Sequence, residues 1–141
     1  MSPRVRQATI DDHVDIMRLF DGALLETDAD RIRSQLDGDC GTMLLAVDSR
    51  PVGAIALSTE VIDDRPAEWA TAVQITAIAV SKQRRGRGVG RRLIAAAAEW
   101  AAPRALSATF DERVEPFYIA CGFEIERHAG RLWAIRPADV D

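Results

Sequence analysis

Cysteine is scarce in this chain of 141 residues: Cys40 and Cys121 are the only two. Two thiols cannot build a disulfide framework. Neither sits in a CxxC pair or beside a histidine cluster, so the spacing of a structural metal site is missing too. The expectation is a reduced, cytoplasmic protein that holds no metal. Long apolar runs are also absent. No stretch approaches the roughly 20 residues of a membrane span, and the opening residues, MSPRVRQATIDDHVD, lack the apolar centre of a secretory signal. Aromatic residues are few, and Tyr118 is the single tyrosine. Basic residues do not dominate either: 18 Lys and Arg face 22 Asp and Glu, a formal net charge of −4. That balance speaks against non-specific binding of nucleic acid by the molecule as a whole. With no repeat, linker or low-complexity tract, a single domain over 1–141 is expected, large enough to bury a core without staples.

Against this acidic background, six basic side chains crowd between Lys82 and Arg92 in the segment VSKQRRGRGVGRRL, residues 80–93. Gly86, Gly88 and Gly90 alternate among them. An apolar run from Ile75 to Val80 leads in, and an alanine-rich helical pattern from Val89 to Ala102 leads out, closed by Pro103. A strand that ends in a glycine turn and opens a helix aims several backbone N–H groups at one point. The helix dipole makes that point a site for a phosphate-like anion. Glycine is needed where a Cβ would block close approach or where φ must be positive.

The remaining pattern gives the fold class. Arg4–Thr9 reads as a strand, and Thr9 or Asp11 caps a helix to about Leu25; residues 28–37 read as a second short helix. Thr42–Val47 and Val52–Ser58 form a hairpin about the turn Asp48-Ser49-Arg50-Pro51. An acidic loop, 60–68, precedes a long strand, Thr71–Val80. After the glycine turn and its helix come a strand (Leu106–Phe110), a short helix (Arg113–Cys121) and two strands (Phe123–Glu126 and Leu132–Arg136) about the turn His128-Ala129-Gly130. Hairpins first and a strand–helix–strand crossover afterwards describe an α/β mixed sheet with helices on both faces.

Two common phosphate motifs do not fit. A nucleoside-triphosphatase loop needs GxxxxGK[ST], and the segment has neither that lysine nor that hydroxyl. A dinucleotide fingerprint needs GxGxxG after the first strand, whereas here Arg91 takes the third position and the motif follows the fourth strand. What does match is R/Q-x-x-G-x-G/A, through Arg85, Gly88 and Gly90. A second motif, PFYIACGF, supplies Phe117, Tyr118, Gly122 and Phe123 in the pattern FYxxxGF, about 30 residues on. On these two motifs and the element order, the chain resembles the GNAT superfamily of N-acetyltransferases over essentially its whole length.

The resemblance implies a central mixed sheet of about seven strands flanked by about four helices, and acetyl-CoA as acetyl donor. It implies that the backbone of Arg85, Gly86, Arg87, Gly88, Val89, Gly90 and Arg91 cradles the pyrophosphate, with Arg84, Arg85 and Arg87 adding charge. Ile78, Ala79 and Val80 would pair with the pantetheine arm, and an amide near Ile78 would stabilise the oxyanion. Tyr118 stands where relatives carry a general acid. Some relatives place a glutamate at the position of Gln74, which cannot take a proton but can orient a water. Glu60 is then a candidate base, with Glu68, Asp63 and Asp64 nearby. The asparagine that relatives carry ahead of FYxxxGF is Asp111 or Glu112 here. Cys121 is read as a packed apolar group.

The acceptor would be a small-molecule or peptide amine, cationic if the acidic residues Glu26, Asp28, Asp30, Glu60, Asp63, Asp64 and Glu68 wall its side. A nucleic-acid or membrane partner is not expected, and a homodimer is compatible with the resemblance. Because Gln74 replaces a carboxylate, a coenzyme A-binding sensor without chemistry is the second reading.

Overall fold

A computed structural model describes residues 3–22, 41–59 and 71–138. The expected helix at 28–37 and the acidic loop 60–68 lie outside the described residues. Among the described residues, seven strands form one sheet: β1 (Arg4–Gln7), β2 (Gly41–Asp48), β3 (Arg50–Ser58), β4 (Val73–Val80), β5 (Leu106–Phe110), β6 (Glu124–His128) and β7 (Arg131–Arg136). Their order is β1-β2-β3-β4-β5-β7-β6. Only β4 and β5 run parallel, since a helix carries the chain over the sheet between them; every other pair is antiparallel. The three described α-helices are α1 (His13–Gly22), α2 (Val89–Ala101) and α3 (Glu115–Ala120).

Residue size decides which face each helix covers. Ala54, Ala56 and Ala79 leave room on one face for Ile16 and Phe20 of α1. The opposite face carries Leu44, Ile55, Leu57, Val73 and Ile75, against which α2 buries Val89, Leu93, Ile94, Ala97 and Ala101. These five recur at helical spacing and give α2 its apolar stripe.

The start of α1 is fixed by charge. Asp12 accepts from the Thr9 amide (2.8 Å) and takes both terminal nitrogens of Arg6, at 2.8 and 2.9 Å. This two-pronged contact holds the Asp12 carboxyl at about 2, against an ordinary value of 3.8. Because the folded-state value is depressed, the stabilisation is complete above the ordinary value and is lost as pH falls through about 2. Solvent screening at the half-exposed Arg6 limits it to about 1 kcal/mol. Asp12→Asn is therefore expected to unfold at lower urea than the parent at pH 7, with the two curves converging near pH 2. Equal midpoints at pH 7 would remove the pair from the account.

The sequence expectations differ from the structure chiefly at three joints. The β2–β3 turn is tighter than Asp48–Pro51: Asp48 pairs with Arg50 across Ser49 alone, whose φ is +59°. The expected helix 113–121 is a 3-10 turn, Glu112–Val114, followed by α3. The long strand starts at Val73 rather than Thr71 and is not regular. Leu57 faces Ile75 and Ala56 faces Ala77, so Thr76 is an extra residue in β4. Its hydroxyl donates to the Ala56 carbonyl at 3.3 Å. Such a bulge bends the strand and resets which side chains face which way.

Candidate active site

The bulge at Thr76 coincides with a parting of the sheet. β4 pairs with β5 only at Val73, Gln74 and Ile75, opposite Leu106, Ser107 and Ala108. Beyond it, Ala77, Ile78 and Ala79 have no strand partner on that side among the described residues. A bent β4 thus leaves β5 and exposes a free backbone edge where the apolar run ends.

That edge leads straight to the N-terminus of α2. The first bond within the helix runs from the Arg92 amide to the Gly88 carbonyl, at 3.1 Å. The amides of Val89, Gly90 and Arg91 therefore have no partner in the helix, and no side chain caps them. Gly88 precedes them at φ +83°, a left-handed conformation that costs a non-glycine residue about 1–2 kcal/mol. A Cβ on Gly88 would meet no protein atom within 4 Å. The glycine there serves backbone direction and an open space in front of the amides. Gly90 is different, because a Cβ would come within 3.0 Å of the Phe117 ring; it seats α3 against α2.

Edge, turn and helix end enclose one groove of about 670 Å³. Of the cofactor residues expected from sequence, Ile78, Ala79, Val80, Arg85, Gly86, Gly88, Val89, Gly90 and Arg91 all line it, joined by Arg84, Val114 and Phe117. Arg87 is exposed and is not on its wall. Arg85 donates from Nε to the Val80 carbonyl, at 3.1 Å. Arg84 is bound to Asp48, so its charge is already compensated. The groove fits a long thioester with a pyrophosphate: unsatisfied amides for the anion, a free strand edge for amide groups and apolar walls for an alkyl arm.

Of the motif PFYIACGF, Phe117 lines the groove and Tyr118 is not on its wall. Gly122, at φ +86°, ends α3: its amide bonds to the Ile119 carbonyl (3.1 Å), and the Phe123 amide bonds to the Tyr118 carbonyl (3.0 Å). This paired closure, with an apolar contact between the first and last residues, is the Schellman motif. The contact is Tyr118 on Phe123, ring centres 5.2 Å apart. Phe110 and Phe117 complete the surround at 4.9 and 5.4 Å. Tyr118 is buried, and no described residue hydrogen-bonds its hydroxyl. Burial pushes its pKa up to about 12, so the phenol keeps its proton over the whole physiological range.

Gln74 is also buried, and the Ser107 hydroxyl donates to its Oε1 at 2.6 Å. This contact crosses from β5 to β4 in the last rows before the strands part. Ser107 was not singled out from sequence, because its partner lies 33 residues away and serine carries no signal of its own. Asp111 caps the 3-10 turn, accepting from the Arg113 amide at 3.0 Å. Cys121 packs against the core, and burial raises its thiol while Arg91 and Arg136 oppose that rise. Glu60, Glu68, Asp63 and Asp64 lie outside the described residues, as do Glu26, Asp28, Asp30 and Cys40. Among the described residues there is no metal-holding group of His, Cys, Asp and Glu, and no helix is long and apolar enough to cross a membrane.

Comparison with known proteins bears on this geometry. No curated protein matches the chain by sequence. Several solved structures share its fold at low identity. A protein described as histone acetyltransferase HPA2 and related acetyltransferase, from Corynebacterium glutamicum, superposes with a TM-score of 0.74 at 19% identity, covering 100% of this chain and 99% of its own. NAA60 from Arabidopsis thaliana, in complex with acetyl-CoA, gives 0.77 at 14% identity, with 94% and 96% covered. The PaiA N-acetyltransferase of Thermoplasma acidophilum, in complex with coenzyme A, gives 0.75 at 12%, with 97% and 99% covered. At such identities the likeness concerns the fold. The family itself is shown by sequence, since residues 39–125 match the acetyltransferase (GNAT) domain, and the chain therefore belongs to the GNAT acetyltransferases.

Proposed function

We propose that the protein transfers an acetyl group from acetyl-CoA to a primary amine, with both substrates bound at once. One observation carries this reading: a partnerless stretch of strand edge runs directly into an uncapped helix end within one groove. Ile78, Ala79 and Val80 hold the pantetheine amides, and the amides of Val89, Gly90 and Arg91 hold the pyrophosphate, with Arg85 and Arg91 beside it. Acetyl-CoA supplies an acyl group on sulfur. The amine nitrogen attacks the carbonyl carbon, a C–N bond forms, the C–S bond breaks, and an amide N–H near Ile78 stabilises the oxyanion.

The proton inventory assigns the remaining roles. Tyr118 donates its phenolic proton to the departing thiolate. The attacking amine must shed its own proton, for which Glu60 is the candidate base. Gln74 is the alternative, as a water-holding group. Its Oε1 already accepts from Ser107 and keeps a second lone pair, so it would hold that water through Oε1 or Nε2.

A cationic small amine or peptide suits the acidic residues of the 60–68 loop as acceptor. A thiol-release assay with acetyl-CoA across amines, polyamines, amino acids and peptides tests the proposal. Turnover concentrated among cationic amines is expected. Binding of acetyl-CoA with no thiol release from any acceptor would replace the enzyme by a coenzyme A-binding sensor.

A further inference from the structure

The turn that aims the α2 amides is held from outside the groove. Its 3-10 segment, Lys82–Arg84, is closed by the Arg84 amide on the Ser81 carbonyl at 3.0 Å. Three contacts fasten it to the β2–β3 hairpin. Asp48 takes the Arg84 guanidinium, Arg50 donates to the Gln83 Oε1 at 3.2 Å, and the Ser81 amide bonds to the Val52 carbonyl at 2.8 Å. Asp48 and Arg50 flank Ser49, which adopts φ +59° without being glycine. A residue persists in that region when its surroundings over-determine it; here the residues on either side are both tied to the same turn.

Arg84 has two faces in this arrangement. It lines the groove, where an arginine would ordinarily be read as a phosphate ligand. Its charge is nevertheless met by Asp48, and both side chains are only 28% exposed. We propose that Asp48 is a positioning residue for acetyl-CoA. By holding Arg84 as a strut it fixes the turn from which the Val89, Gly90 and Arg91 amides are aimed. The inference rests on the acetyl-CoA reading of the groove and adds to it a device on a different hairpin.

The sign of one substitution separates strut from ligand. Asp48→Asn removes a negative charge beside a polyanion and frees Arg84. If Arg84 were a phosphate ligand, coenzyme A would bind more tightly. If Arg84 is a strut, the turn loosens and binding weakens. A weakening of about 2- to 5-fold is expected, the scale of an ion pair at the surface. It should fall on the KM for acetyl-CoA rather than on kcat. Arg84→Gln should match it, the double variant should be no worse than either single one, and Asp48→Glu should recover most of the loss.

Hydrogen exchange of the amides of residues 82–88 in the ligand-free protein gives a second readout, expected to speed up in Asp48→Asn. Equal or tighter binding of coenzyme A by Asp48→Asn overturns the proposal, as does unchanged exchange in the turn. A wild type that binds no coenzyme A overturns the cofactor reading and the positioning role with it. The exchange rates then still report whether the hairpin holds the turn.

Discussion

Gly88→Glu is expected to weaken coenzyme A binding by at least about 30-fold, from two independent costs. The first is conformational: at φ +83° any side chain costs about 1–2 kcal/mol of folding or local order. The second is electrostatic. The new carboxylate would stand before the uncapped amides of Val89, Gly90 and Arg91, in the place proposed for the pyrophosphate. Two like charges about 4 Å apart repel by roughly 1–4 kcal/mol between water and a surface groove. The carboxylate would also satisfy the amides itself, as an N-terminal cap does. The variant should therefore remain folded while losing its ligand.

Gly88→Ala separates the two costs. Its Cβ meets no protein atom, so it carries the strain without the charge and should lose about 30-fold at most. Isothermal titration of coenzyme A into the three proteins decides the matter. Binding by Gly88→Glu within threefold of the parent would show that the pyrophosphate is held elsewhere.

Why this turn was legible while other parts were not follows from where the information sits. A backbone cradle needs glycine at fixed offsets from a strand and a helix, so its chemistry is written in consecutive residues 80–93. FYxxxGF is legible for a similar local reason. Tyr118, Gly122 and Phe123 are the first residue, the left-handed residue and the last residue of one helix closure. The reading of the motif as a family mark and its reading as a Schellman closure are the same residues seen twice.

The bulge at Thr76 was not legible. In VQITAIAV, alternation from Val73 and Ile75 continues to Ala77 and Ala79, yet after the bulge Ile78 and Val80 pack with Val73 and Ile75. Threonine in a strand carries no sign of an inserted residue, and the register is decided by β3. The same holds for Asp48 and Ser107, whose partners lie 36 and 33 residues away. Contacts of that range follow from topology rather than from local pattern. Arg84 shows the consequence: its place in the groove was readable from the motif, but its engagement with Asp48 was not.

Tyr118→Phe should reduce kcat by about 100-fold, the usual scale for removing a general acid, with little change in KM for acetyl-CoA. Removing one hydroxyl preserves the ring contacts with Phe110, Phe117 and Phe123. No described residue bonds that hydroxyl, so the fold loses no hydrogen bond there. The raised pKa gives a test that does not depend on catalysis. A phenol at about 12 when folded and about 10 when unfolded favours the native state only while it stays protonated. The sign is that stability falls as pH rises from about 10 to about 12, by roughly 3 kcal/mol in total. Tyr118→Phe should lack that alkaline loss. Since the chain has one tyrosine, tyrosinate absorbance follows this group alone and should show its midpoint near 12 in the folded protein. A midpoint near 10 would place the hydroxyl in solvent rather than in the aromatic cage. A variant that keeps kcat within twofold would leave Tyr118 a packing residue and assign the leaving thiolate's proton to water.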